Sequence, residues 1–282
     1  MLTRSEITPP SVHPFRPAAT TRSNMIEREP TTASADEIPV RWSGAGRFLM
    51  RPYPVTWPMV LLVGLIPVYL VIAGRAETGP VHTPATALDR LLPLVPAWAI
   101  VYGALYGFLI LVPVFVVGQP DLIRRTVWAY LMVWSTAYLG FLLYPTVAPR
   151  PDAVVGEGFA AWGLRFLYGA DPPYNCFPSL HVAHSFVSAF ACSRVHRPLG
   201  LVAIAGAALV ALSTLFTRQH YVADLIGGIL LAAAAYGIFL RGYPRSRTPD
   251  RDRRLAPRLA VGAAAIVGLG AACFWVAYRL GA

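Results

Sequence analysis

The chain has 282 residues, of which 56% are hydrophobic and only 13% charged, and its mean hydropathy is +0.52. That balance excludes an ordinary soluble domain. The net charge is +10, and every one of the 24 basic residues is an arginine, so lysine nucleophiles and Schiff bases are excluded too.

Residues 1–50 are rich in Pro, Ser, Thr and charge, bury little, and read as a disordered tail. They lack the short apolar core and small-residue cleavage site of a signal peptide, so the first helix is expected to remain as an uncleaved span. Seven apolar runs follow, at 57–74, 91–118, 126–144, 179–194, 198–217, 221–241 and 259–278. The expected fold is an all-α polytopic transmembrane bundle. Its organisation is a tail at 1–50, a membrane domain at 51–241, a basic linker at 242–258 and an additional helix at 259–282. Small residues recur at four-residue spacing in the fifth run (Ala203, Ala207, Ala211) and in the seventh (Ala264, Gly268, Ala272), which predicts close helix packing.

Arginine placement orients the bundle. With the N-terminus in the cytoplasm, the cytoplasmic segments hold 18 arginines and the opposite side holds six: Arg75, Arg90, Arg150, Arg165, Arg218 and Arg279. The same distribution argues against nucleic acid as a partner and for contact between the basic linker and anionic membrane lipids. The three cysteines include no CxxC pair and form no disulfide framework. Cys176, like Asn175 beside it, is expected to be structural.

This orientation brings three polar stretches to the extracytoplasmic side: "YPTVAPRP" at 144–151, "NCFPSLHVAHS" at 175–185 and "TRQHYVADLIGG" at 217–228. Ser179 reads as a helix N-cap with His181 in the first turn, where free N–H groups and the helix dipole suit a phosphate. The 179–194 helix is about 24 Å long against about 30 Å of hydrocarbon, so it is expected to begin in a recess. His184, one turn deeper, is expected to be structural. His220 and Asp224 lie four apart, hence on one face of the sixth helix if it has begun by His220. A carboxylate there takes the N–H of one imidazole nitrogen and leaves the other as a lone pair, which makes a nucleophile or base. Arg150 and Arg218 are candidates for neutralising an anionic substrate. The aromatic stretch 159–174, with Trp162, Phe166 and Tyr168, suits a short helix at the headgroup boundary.

These residues resemble the type 2 phosphatidic acid phosphatase superfamily, whose motifs read KxxxxxxRP, PSxH and SRxxxxxHxxxD. Arg150-Pro151 matches the end of the first. Pro178, Ser179 and His181 match the second, and Ser213, His220 and Asp224 the third. Leu143, Leu180 and Thr214 depart from the Lys, Gly and Arg of the pattern, and in this the chain looks more like the inositol phosphorylceramide synthase branch. The resemblance covers roughly 90–241. It implies a six-helix phosphatase-like core plus one extra C-terminal helix, and a lipid phosphate or diphosphate as substrate at the extracytoplasmic face of the plasma membrane. His220 is the implied nucleophile forming a phosphohistidine, Asp224 its orienting group and His181 the acid–base. Arg150, Ser179 and Arg218 are the implied phosphate binders. No cofactor and no metal are implied, and the sequence has no carboxylate cluster to hold one. A proton-coupled transporter is the weaker expectation, because its polar groups would spread through the membrane depth.

Overall fold

In the computed structural model, residues 53–281 are described, with side chains from Val60 onward, so the 1–50 tail lies outside the described residues. The elements are α1 (Tyr53–Glu77), α2 (Ala87–Leu91), α3 (Trp98–Val116), α4 (Pro120–Leu143), α5 (Phe159–Ala170), α6 (Leu180–Val195), α7 (Arg197–Phe216), α8 (Val222–Ala235) and α9 (Asp250–Arg279). A π turn, Tyr236–Leu240, prolongs α8, and a 3-10 turn, Arg245–Arg247, precedes α9. Among the described residues there is no strand, and six helices are long and apolar enough to cross a membrane. The protein is an all-α polytopic membrane bundle.

The expected helices are all present, and the differences lie at their ends. Pro93 and Pro96 interrupt the start of the second run, so the short helix α2 ends at Leu91 and the long helix begins only at Trp98. Pro120 at the first helical position, followed by Asp121, starts α4 ahead of the expected 126. The last helix begins at Asp250, not 259. Asp250 and Asp252 in its first turn favour the positive end of the helix dipole, and arginine side chains are good helix formers. The second half of the expected linker is therefore helical.

α6 is the hub. It packs against α3, α4, α7 and α8, and buried residues from Leu180 to Val195 occupy most of its surface. It is shorter than α3, α4 and α7, and Ser179 caps it by accepting from the N–H of Val182 at 3.4 Å. Two glycines allow the tightest approaches. A Cβ on Gly200 would lie 2.4 Å from Ser193, where α6 and α7 form a hairpin, and one on Gly228 would lie 2.6 Å from the Ser179 carbonyl. The small-residue stripe on α7 packs as expected, with Ala203, Ala207 and Ala211 buried. The one on α9 does not: Ala264, Gly268 and Ala272 are exposed, and α9 buries Ala256, Ala260 and Ala263 instead. The spacing is the same on both helices, but α9 sits at the edge of the bundle with α3 as its principal neighbour.

The aromatic stretch is the short helix α5. Its rings pack against the end of α9: Phe166 on Phe274 at 5.0 Å and Phe159 on Tyr278 at 5.6 Å between centroids. Tyr168 anchors the opposite side by donating to the Thr217 carbonyl at 2.6 Å.

Candidate active site

The turn from α7 into α8 presents His220. α7 ends at Phe216, and Arg218 takes a left-handed conformation at φ 52°, which reverses the chain. The Thr214 carbonyl then accepts from the N–H groups of Gln219 at 2.9 Å and His220 at 3.2 Å. Thr214, where the motif has Arg, thus holds the turn through its main chain. α8 starts with Tyr221 as N-cap, and Asp224, three residues on, reaches back to the Tyr221 N–H at 2.8 Å. The same oxygen lies 3.3 Å from Nδ1 of His220. One carboxylate therefore caps the helix and fixes the ring, which gives the HxxxD spacing a local structural cause.

α6 brings the second histidine. The Ser179 N–H donates to the Asp224 carbonyl at 3.0 Å, binding the start of α6 to the first turn of α8. His181 Nδ1 then lies 3.2 Å from His220 Nε2. The His181 ring stands edge-on to Tyr102 and Tyr106, with centroids 5.6 and 5.1 Å away. His220 and Asp224 are 4% and 0% exposed, so the pair is removed from bulk solvent. His184 lies in the helix core, stacked on Tyr130 at 4.3 Å and accepting from Trp134 at 3.3 Å. That is a satisfied structural histidine.

The two arginines are placed differently. Arg150 is beside the histidines. Its guanidinium donates to the carbonyls of Tyr168 (3.1 Å) and Asp171 (2.8 Å), stacks over the Tyr168 ring at 4.5 Å, and lies 4.0 Å from the Asp171 carboxylate. Arg218, expected to bind substrate, instead directs its guanidinium at the carbonyls of Asp89 and Leu92. It ties α2 to the His220 turn, and its planar fork is occupied by main-chain acceptors. Asp89 completes that tie by accepting from the Val222 N–H at 2.8 Å and from Thr86. Burial opposes ionisation of Asp89, but these hydrogen bonds outweigh it and hold its carboxyl below the usual range. Leu143, at the motif's lysine position, is 82% exposed and turned away from the cluster.

The sequence reading missed two contributors, Asp171 and Thr146, and named a third, Cys176, as structural. Asp171 ends α5, its Oδ2 is 3.9 Å from His181 Nε2, and its Oδ1 accepts from Tyr69 at 2.8 Å. Thr146 accepts from the N–H groups of Cys176 and Phe177 and so holds the segment leading into α6. Cys176 is buried within the cluster, where Cys176, His220 and Asp224 offer donor atoms within 4.8 Å of one another. Burial, and next the Asp224 charge, push the Cys176 thiol well up, so it is a neutral S–H. Binding a metal ion with this set would require the thiol to give up its proton.

Arg150 Nε, Asn175 Oδ1, Gln219 Oε1 and Asp224 Oδ1 are buried without a protein partner at this end, as are Ser185 Oγ, Arg194 Nε and Arg245 Nε elsewhere. Each such group costs roughly 1–3 kcal/mol.

The fold is that of a polytopic helical membrane protein, with a buried cluster of histidines and a carboxylate at one end. The chain belongs to the PAP2 superfamily, which matches residues 81–238. A PA-phosphatase related-family protein of Dictyostelium discoideum is 30% identical over 136 residues, spanning 43% of this chain and 24% of that protein. An uncharacterized protein of Methanocaldococcus jannaschii is 29% identical over 105 residues, spanning 37% of this chain and 41% of its own length. This chain thus spans less than half the length of either relative. No solved structure matches it.

Proposed function

We propose that the protein cleaves or transfers the phosphoryl group of a lipid phosphate or diphosphate through a phosphohistidine, at the extracytoplasmic face of the plasma membrane. The observation that carries the reading is the continuous chain from Asp224 through His220 to His181, at the joined starts of two helices. The arginine distribution supports the extracytoplasmic side.

With Asp224 accepting from Nδ1, the Nε2 lone pair of His220 attacks phosphorus. The P–O bond to the lipid breaks, and the leaving oxygen takes a proton from His181. His181 then removes a proton from the acceptor, whose oxygen attacks phosphorus. The P–N bond breaks, and its electron pair returns to His220. Arg150 and the N–H groups of α6 balance the charge that builds on the phosphoryl oxygens, with Ser179 shaping that helix end. Arg218 acts from behind, by fixing the turn that carries His220.

The acceptor is water in a hydrolase and an alcohol in a transferase. Leu143 in place of Lys and Thr214 in place of Arg leave Arg150 as the cation beside the histidines from the motif positions. A phosphate held by fewer cations favours the transferase reading, that of the inositol phosphorylceramide synthase-like branch. Purified protein is tested on a panel of lipid phosphates with and without added alcohols. Product diverted from free phosphate to a phosphodiester supports transfer, and undiminished phosphate release across the panel supports plain hydrolysis. No turnover on any phosphorylated lipid would refute both.

A further inference from the structure

The two catalytic histidines proposed above are bracketed by two carboxylates, and we propose that the second, Asp171, is a positioning residue that loads His181 with its proton. The proposal rests on the reading of His181 as the general acid.

The groups form one line. Asp171 Oδ2 is 3.9 Å from His181 Nε2, His181 Nδ1 is 3.2 Å from His220 Nε2, and His220 Nδ1 is 3.3 Å from Asp224 Oδ2. The acceptors dictate where the protons go. Asp224 as carboxylate can only accept, so His220 Nδ1 carries N–H and His220 Nε2 is a lone pair. That lone pair needs a donor, so His181 Nδ1 carries N–H. A neutral His181 would then turn an Nε2 lone pair toward the Asp171 carboxylate, acceptor facing acceptor. A second proton, on Nε2, removes this conflict and places an imidazolium against a carboxylate. The line therefore favours the state the reaction needs: a lone pair on the nucleophile and a proton on the acid.

Asp171 is built to do this. Its main-chain N–H closes α5 on the Leu167 carbonyl at 3.2 Å, and Tyr69 donates to Oδ1 at 2.8 Å. Oδ2 is left for His181 and for Arg150 at 4.0 Å. At 3.9 Å the carboxylate is within ion-pair reach of a protonated His181 but is not hydrogen-bonded to it. The described groups around His181 are Tyr69 on α1, Tyr102 and Tyr106 on α3, Arg150, Asp171, His184 on α6, and His220. Burial, His220 and Arg150 all oppose the charge on His181, and Asp171 is the carboxylate that favours it.

The test compares dioctanoyl phosphatidic acid, whose leaving alkoxide needs the acid, with p-nitrophenyl phosphate, whose leaving group does not. Asp171→Asn should lower kcat on phosphatidic acid about 10- to 100-fold with KM unchanged, and lower it far less on p-nitrophenyl phosphate. The alkaline limb of the kcat/KM profile should move about one pH unit lower, and Asp171→Glu should restore much of both. Tyr69→Phe, which frees the carboxylate without removing it, should show a smaller loss of the same selectivity, and it decides the matter if Asp171→Asn does not fold. Equal loss on both substrates, or an unmoved alkaline limb, overturns the assignment of Asp171. The underlying reading is judged separately by His181→Asn: if that variant shows no leaving-group selectivity, the reading of His181 as the acid fails as well.

Discussion

The two ends of the bundle use charge in opposite ways. At one end few charged groups meet, nearly all are withdrawn from solvent, and each is held by more than one partner: Asp224 by Tyr221 and His220, Arg150 by three main-chain carbonyls and the Tyr168 ring. At the other end arginines are numerous and open. Arg124 and Arg125 pair with Asp121 within one helix, Arg247 reaches the same acid, and Arg253 pairs with Asp250. Arg254, Arg258, His196 and Asp250 line a shallow cleft there. Buried, over-determined charge fixes geometry for chemistry, whereas exposed charge of one sign orients a chain in a membrane. The count of charges would have pointed to the wrong end.

The sharpest way to break this contrast is at Asp224. Asp224→Asn should leave the helices in place while losing the carboxylate that sets the His220 tautomer. Turnover should fall by up to about 10⁴-fold, or roughly 5 kcal/mol of transition-state stabilisation. A folded Asp224→Asn enzyme with near-normal kcat would mean that the buried end does not set geometry for chemistry.

Packing gives the next effect. Gly228→Ala puts a methyl group 2.6 Å from the Ser179 carbonyl, so α8 must move off the start of α6. The cost should be about 1–3 kcal/mol of stability, read as a lower midpoint in detergent unfolding. Activity should fall more than the loss of folded protein explains, because the same shift parts His181 from His220. An unchanged midpoint would show that the helix contact is not as close as described.

The opposite end should hardly respond. Asp121→Asn removes the partner of three arginines, yet those side chains are 31% to 64% exposed and the pairs are solvent-screened. The expected change is below about 1 kcal/mol in stability, with unaltered kcat. A large loss of activity would mean that the two ends are coupled.

The membrane helices were legible because long apolar runs have one common solution, and the His220–Asp224 pair was legible from its four-residue spacing, although His220 lies just ahead of the helix and Asp224 reaches back to it from the first turn. His181 followed from the helix-start reading of Ser179. What escaped depends on contacts between elements distant in the sequence. Asp171 stands in an aromatic, proline-bounded stretch and gains meaning only when α5 folds against α9 and delivers it to His181. Arg218 carries the same charge as Arg150, and only the backbone turn at Arg218 decides that its guanidinium faces α2. The stripes on α7 and α9 share a spacing, and the position of each helix in the bundle decides which is buried. The arginine-rich 250–258 segment looked like a linker because composition hides the helix start that Asp250 and Asp252 favour.

The central claim is that His220 carries the phosphoryl group. The direct measurement is rapid quench of the enzyme with a ³²P-labelled lipid phosphate, followed by a search for acid-labile, base-stable label on protein. The account predicts labelled phosphohistidine in the wild type. It predicts accumulation where acceptor activation is slowed, as in His181→Asn with a substrate that leaves easily, and no label and no turnover in folded His220→Asn. Normal turnover in that last variant would contradict it.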